Sequence, residues 1–195
     1  MKRKVFFCCI ILLGLASCSS KNTIDGQEKA GKKNTIETSN GSFAGYKLIA
    51  HRGGIVEGIF NECDPRSIQA AIDSGYYMLE VDVRESKNGV LFVHHDEDFM
   101  RFFDNKHSAD DLTWDEIQDL RSNKGDYHPL SFEKVAQLCA GKIKMMIDVK
   151  SKPPSPKYFE SLGNIMEKYN LLIGSYFINK DAQKYFWGKP SLNSE

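Results

Sequence analysis

The sequence predicts an α/β fold built on a parallel sheet, and three observations carry that prediction. Strand-like and helix-like segments take turns from residue 46 onward, and parallel neighbours need crossover helices between them. No glycine-rich phosphate fingerprint follows the first strand, which weakens a dinucleotide-binding sheet. Polar side chains suited to chemistry sit at the carboxyl ends of four successive predicted strands, where a (β/α)8 barrel builds its site. An open doubly wound sheet and a barrel are the two architectures left.

The elements follow in order. Lys2, Arg3 and Lys4 precede an apolar run over residues 5–15 and then "LASC" at 15–18. A basic start, a short apolar run and small residues before a cut read as a secretory signal. The run is too short for a permanent helix across a ~30 Å hydrocarbon core. Up to residue 42 the chain is Lys, Asn, Ser, Thr and Gly with almost no large apolar residue, the composition of a flexible tether. Two dozen such residues reach roughly 25–30 Å.

"YKLIA" (46–50) is the first predicted strand. "DPRSIQAAIDSG" (64–75) carries helix punctuation, with Asp64 as N-cap, Pro65 in the first turn and Gly75 past the end. "MLEVDV" (78–83) and "VLFVH" (90–94) are strands joined by a turn containing Asn88 and Gly89. "TWDEIQDL" opens on a capping box, Thr113 to Glu116. "SFEKVAQLCAG" is a helix closed by Gly141, "IKMMIDV" (143–149) a strand, and "SPKYFESLGNIMEKY" a helix with Pro156 near its start. "LLIGSYFI" (171–178) is the fifth strand. No internal repeat is present. Residues 45–195 fall short of the ~250 typical of a full barrel, so the reading is an open sheet or a barrel truncated after about five strands.

Side chains two apart in a strand share a face. Glu80 and Asp82 therefore point one way, and Leu79, Val81 and Val83 the other. Two carboxylates that close repel unless protonated or bridged by a cation. Oxygen ligands suit Mg²⁺ or Ca²⁺; the plainer alternative is ion pairing with Arg84 or a lysine. Past the other strands stand His51 and Arg52, then His94, His95 and Asp96, then Asp148 and Lys150. Histidine suits proton transfer near neutral pH, and arginine offers a planar fork for phosphate oxygens. The constellation points to metal-assisted phosphoryl chemistry. Alternation allows only one of His94 and His95 to face the site.

The order "HRGG … NE … EVDV … NG … HHD … LTWDEIQDL … PLSFEKV … DVK" resembles the glycerophosphodiester phosphodiesterase family over residues 51–150. The resemblance implies a TIM-type (β/α) barrel with one catalytic divalent cation, Ca²⁺ or Mg²⁺. It implies hydrolysis of a glycerophosphodiester to glycerol phosphate and an alcohol. By the same resemblance, His51 and His95 are the acid–base pair, and Arg52 and Lys150 serve the phosphate. Glu80, Asp82 and Asp148 are metal ligands, and Glu62 lies near the site. The family usually has glutamate at the position of Asp148, and of its Pro-Glu-Asn stretch only Glu62 remains. The pattern also selects His95 over His94, which is left a packing role. "LASC" resembles a bacterial lipobox, which makes Cys18 the lipidated residue. The implied protein is an exported, membrane-anchored lipoprotein, periplasmic or on the cell surface, with residues 1–17 as signal, 18–44 as tether and 45–195 as the domain.

Zero net charge argues against a broad nucleic-acid surface. Of the five cysteines, only Cys63 and Cys139 remain in the predicted domain, and neither has an activating neighbour in sequence; whether they pair is a matter of geometry. His107 and His128 read as surface residues. The "FMRFF" run (99–103) reads as loop packing rather than the wall of a glycerol site. Two rival functions follow: a truncated barrel that binds phosphodiesters without turning them over, and a phospholipase acting on intact lipid.

Overall fold

The computed structural model describes residues 42–43, 46–54, 61–151, 154 and 156–187. The expected signal (1–17), Cys18 and nearly all of the expected tether lie outside the described residues. Inside that tether, Ser42–Phe43 forms a strand, β1, paired antiparallel with β2, Tyr46–Lys47. A two-residue ladder leaves no hydrophobic period for a sequence to display.

A left-handed turn at 52–54 follows strand β3, Ile49–Ala50, and helix α1 is Pro65–Asp73. Asp64 caps this helix by accepting a hydrogen bond from the Arg66 amide at 2.8 Å. Strand β4, Met78–Glu85, is buried along nearly its whole length. Strand β5, Leu91–Val93, pairs antiparallel with β4, Val83 opposite Val93. It is therefore not one of the parallel strands, and the site at the strand ends is not built on parallel strands alone. The cause is length: a parallel return needs a dozen residues or more, and the connection at 86–90 is a tight turn.

A small excursion follows, with β6 (Asp98–Phe99) and β7 (Asn105–Ser108) antiparallel around the four-residue helix α2 (Met100–Phe103). Phe92, Phe99, Phe102, Phe103, Ile117 and Tyr127 bury together beneath it. Helix α3, Trp114–Gln118, begins on the expected capping box between Thr113 and Glu116. In helix α4, Phe132–Cys139, the buried residues Phe132, Val135, Ala136 and Cys139 fall at i, i+3, i+4 and i+7, one apolar stripe.

Strand β8 is Lys144–Val149, helix α5 Pro156–Lys168, strand β9 Tyr176–Phe177 and helix α6 Lys180–Trp187. The fifth strand was expected over 171–178 but covers only two residues. Gly174 has φ 80°, outside strand geometry, so the ladder starts after it.

The strands run β3-β4-β8-β9 across the sheet, all neighbours parallel. Among the described residues this sheet does not close on itself. On one face Leu79, Val81, Val83, Met145, Ile147 and Val149 pack into the main core with α1, α4, α5 and α6. Each such side chain contributes about 1.5–3 kcal/mol on full burial. Cys63 and Cys139 are both buried and free. The other face of β4 carries Glu80 and Asp82, each only 2% exposed. No helix of the described residues is long and apolar enough to cross a membrane.

Candidate functional site

The parallel register sets Asp82 directly opposite Asp148 on the neighbouring strand, with Glu80 one pleat earlier. Carboxylate oxygens of Glu80, Asp82 and Asp148 all lie within 4.8 Å of one another. Burial, and then the Asp82 charge, push the Glu80 carboxyl up to about 7. Asp82 Oδ2 is buried without a hydrogen-bond partner; its nearest recorded cation is Arg52 Nε at 3.8 Å. A buried, under-satisfied carboxylate inside a hard-oxygen cluster is what a divalent cation such as Ca²⁺ or Mg²⁺ would satisfy. The three residues fit that group.

The plainer ion-pair alternative also has its place here. Lys150 Nζ lies 3.1 Å from Asp82 Oδ1 and 2.7 Å from Asp148 Oδ2. Burial opposes the charge on Lys150, but the two carboxylates outweigh it and raise its pKa. Arg84 turns elsewhere, donating to the His95 carbonyl at 3.0 Å.

The turn after β3 brings in the first histidine. Arg52 takes a left-handed conformation, φ 53° and ψ 43°, which costs a non-glycine residue on the order of 1–3 kcal/mol and recurs at functional sites. In this conformation the Arg52 amide donates to Glu80 Oε2 at 2.7 Å. His51 Nε2 stands 3.8 Å from the same oxygen. Its ring is half-exposed, and burial together with the Arg52 charge lowers its pKa.

The Arg52 guanidinium crosses the site, donating through Nη1 to Glu62 Oε2 at 2.9 Å and through Nη2 to His95 Nε2 at 2.6 Å. A guanidinium has no acceptor, so His95 Nε2 is the bare nitrogen. The proton then sits on Nδ1, which meets Asp96 Oδ1 at 2.8 Å. Burial works against the Asp96 charge, but hydrogen bonds from His95 and Arg101 hold its carboxyl below the ordinary range. His95 reaches this place because β5 folds back along β4, where the His94 amide donates to the Asp82 carbonyl at 3.0 Å. His94 itself is buried, stacked on Phe99 with ring centroids 4.5 Å apart, its Nε2 at 2.7 Å from the Asp98 carbonyl.

All eight domain residues singled out from the sequence thus meet at one place: His51, Arg52, Glu62, Glu80, Asp82, His95, Asp148 and Lys150. A cleft of about 450 Å³ beside them is lined by Arg84, His95, Asp96, Glu97, Asp98 and Lys150. Sequence reasoning passed over the grip of Asp96 on His95. It also missed Arg101, which reaches Asp96 and Glu62. Asp96 adjoins a chosen histidine and was legible as its partner; Arg101 lies in an aromatic run and carried no such signal. A larger hollow, about 510 Å³, lies at the opposite ends of the strands around Tyr77, Lys142 and Lys144.

The model of the glycerophosphoryl diester phosphodiesterase family matches residues 51–184. Among solved structures, a glycerophosphodiester phosphodiesterase of Parabacteroides distasonis is 26% identical, with TM-score 0.63 over 76% of this chain and 63% of that one. One from Agrobacterium tumefaciens is 20% identical, TM-score 0.60, over 73% and 62%. An Oleispira antarctica phosphodiesterase, in complex with the product sn-glycerol-3-phosphate, is 16% identical, TM-score 0.63, over 73% and 63%. The chain spans 62–63% of the length of these three. The likeness makes the parallel sheet part of a TIM-type (β/α) barrel. No curated protein matches the chain.

Proposed function

Because the chain belongs to the glycerophosphoryl diester phosphodiesterase family, we propose that its site hydrolyses a glycerophosphodiester to glycerol phosphate and an alcohol. The observation that carries this reading is the pairing of two unlike groups. Three hard carboxylates converge within 4.8 Å, and beside them His95 presents a bare Nε2 while Asp96 holds Nδ1–H.

A divalent cation held by Glu80, Asp82 and Asp148, either Ca²⁺ or Mg²⁺, would supply Lewis-acid polarisation of the phosphodiester. Arg52 exchanges His95 for the phosphate, offering its planar fork to two oxygens. Lys150 leaves the carboxylates and offsets the charge that builds on phosphorus. One histidine takes a proton from the attacking hydroxyl, and the other returns one to the leaving alcohol oxygen. His95 acts through Nε2, since Nδ1 is committed to Asp96, the logic by which an aspartate orients a catalytic imidazole. The attacking hydroxyl belongs to water, or to the neighbouring carbon of the glycerol, in which case water then opens the resulting cyclic phosphodiester to glycerol phosphate.

The test is release of choline from glycerophosphocholine with Ca²⁺ or Mg²⁺, with and without chelator. His51→Ala and His95→Ala should abolish turnover while cation binding survives; full activity in both variants would sink the assignment. Binding of glycerophosphocholine without choline release would favour a non-catalytic phosphodiester binder. A preference for intact phospholipid would favour a phospholipase.

We also propose that the protein is exported and held to a membrane by lipid on Cys18. The support is the basic start, the apolar run at 5–15 and "LASC" at 15–18. Cys18→Ala should release the chain from the membrane fraction.

A further inference from the structure

We propose that Arg101 is a positioning residue that couples the proton-transfer histidine to the phosphate-binding arginine. This rests on the functional reading above and deepens it. Arg101 donates through Nε to Asp96 Oδ2 at 2.7 Å and through Nη2 to Asp96 Oδ1 at 2.9 Å. The same Nη2 donates to Glu62 Oε1. Asp96 holds His95 and Glu62 holds Arg52, while Arg52 closes the circuit onto His95. Five side chains from four places in the chain therefore form one closed ring, which Arg101 completes.

The aromatic run explains how Arg101 is held. Phe102 and Phe103 are buried in the aromatic cluster, and the Arg101 guanidinium lies over the Phe102 ring at 4.5 Å. The end of α2 is tied down twice by Asn123, whose amide donates to the Phe102 carbonyl at 2.8 Å and whose side chain donates to Asp104 at 2.7 Å. Tyr127, from the same aromatic cluster, donates to the Glu62 carbonyl at 3.3 Å. The "FMRFF" segment thus does more than pack a loop: its phenylalanines seat a guanidinium fork whose planar donors match two carboxylates at once. With Asp96 gripped on both oxygens, His95 Nδ1–H has a fixed acceptor and Nε2 stays bare toward the site.

The experiment uses the full chain labelled with ¹⁵N-histidine, in chelator, with His95→Gln assigning the ring among the five histidines. The wild type should show His95 protonated at Nδ1 and bare at Nε2. In Arg101→Gln that single tautomer should give way to a mixture. With glycerophosphocholine and cation, kcat should fall roughly 10–100-fold, as for groups that orient a site's primary residues, with KM within about threefold. Arg101→Lys, which keeps the charge but loses the fork, should recover only part of kcat. Should Arg101→Gln lose its near-UV circular dichroism, Arg101→Lys carries the tautomer comparison alone. An unchanged His95 tautomer overturns the proposal, as does a loss confined to KM, which would make Arg101 a substrate contact. If the wild type releases no choline, hydrolysis fails as a reading, and the tautomer comparison still decides the role of Arg101.

Discussion

Asp82 and Asp148 face each other in register across two parallel strands, and the Lys150 ammonium reaches both, at 3.1 and 2.7 Å. The carboxylate pair is thus served by a cation of the chain itself, and any divalent ion must share the carboxylates with it. Lys150→Met should tighten Ca²⁺ binding severalfold, because like charges about 4 Å apart cost about 1 kcal/mol even in water. The same variant should lose turnover. Calorimetric titration with Ca²⁺ reads the first effect and choline release the second; weaker Ca²⁺ binding would contradict the competition.

Asp82→Asn should weaken divalent binding on the order of tenfold or more, since the affinity of an oxygen site follows its ligand charge. Asp82 is the one carboxylate of the three with a buried oxygen that lacks a hydrogen-bond partner. Unaltered affinity in the same titration would move the cation away from this cluster.

The cation-free protein should lose stability as pH rises through neutrality. The folded Glu80 carboxyl titrates at about 7, against 4.5 for the ordinary group. Between those values the folded state keeps a proton that the unfolded chain has released. The contribution is fully present below pH 4.5 and is lost as pH rises through 7, at most on the order of 3 kcal/mol. Urea midpoints in chelator should therefore fall from pH 5.5 to pH 8, and Glu80→Gln should flatten that slope.

Gly53→Ala should destabilise the fold by about 1–2 kcal/mol, the cost of a left-handed L-residue, because Gly53 has φ 77°. A methyl there would also stand 3.2 Å from Ile68 Cγ1 and 3.3 Å from the Cys63 amide nitrogen. Denaturant unfolding measures the loss.

Cys63 and Cys139 should resist thiol reagents in the native protein and react in denaturant. Both are buried and free; burial pushes the Cys139 thiol up to about 12 and raises Cys63 well above its ordinary value, so neither supplies thiolate. Peptide mapping after labelling distinguishes the two from the N-terminal cysteines.

Much of this was legible in the chain. Asp64 with Pro65, and Thr113 with Glu116, marked helix starts because capping is a local hydrogen bond between near neighbours. The alternation of Leu79, Val81 and Val83 with Glu80 and Asp82 separated core from site because strand side chains alternate faces. The direction of β5 was equally open to reading: the turn at 86–90 is too short for a parallel return. The late start of β9 was less so, since a glycine in a strand pattern does not declare its φ.

The order of residues along the chain sets which types stand at the strand ends, and through them the cluster of His51, Arg52, Glu80, Asp82, His95, Asp148 and Lys150. Local periodicity and the family pattern were enough for that. Which of these groups hold one another is set by the packing of distant segments. Lys150 between two aspartates, Arg52 against His95, and Arg101 joining Asp96 to Glu62 depend on register, on β5 folding back along β4 and on where α2 sets Arg101. Those are relations between distant segments, and no window of neighbouring residues contains them.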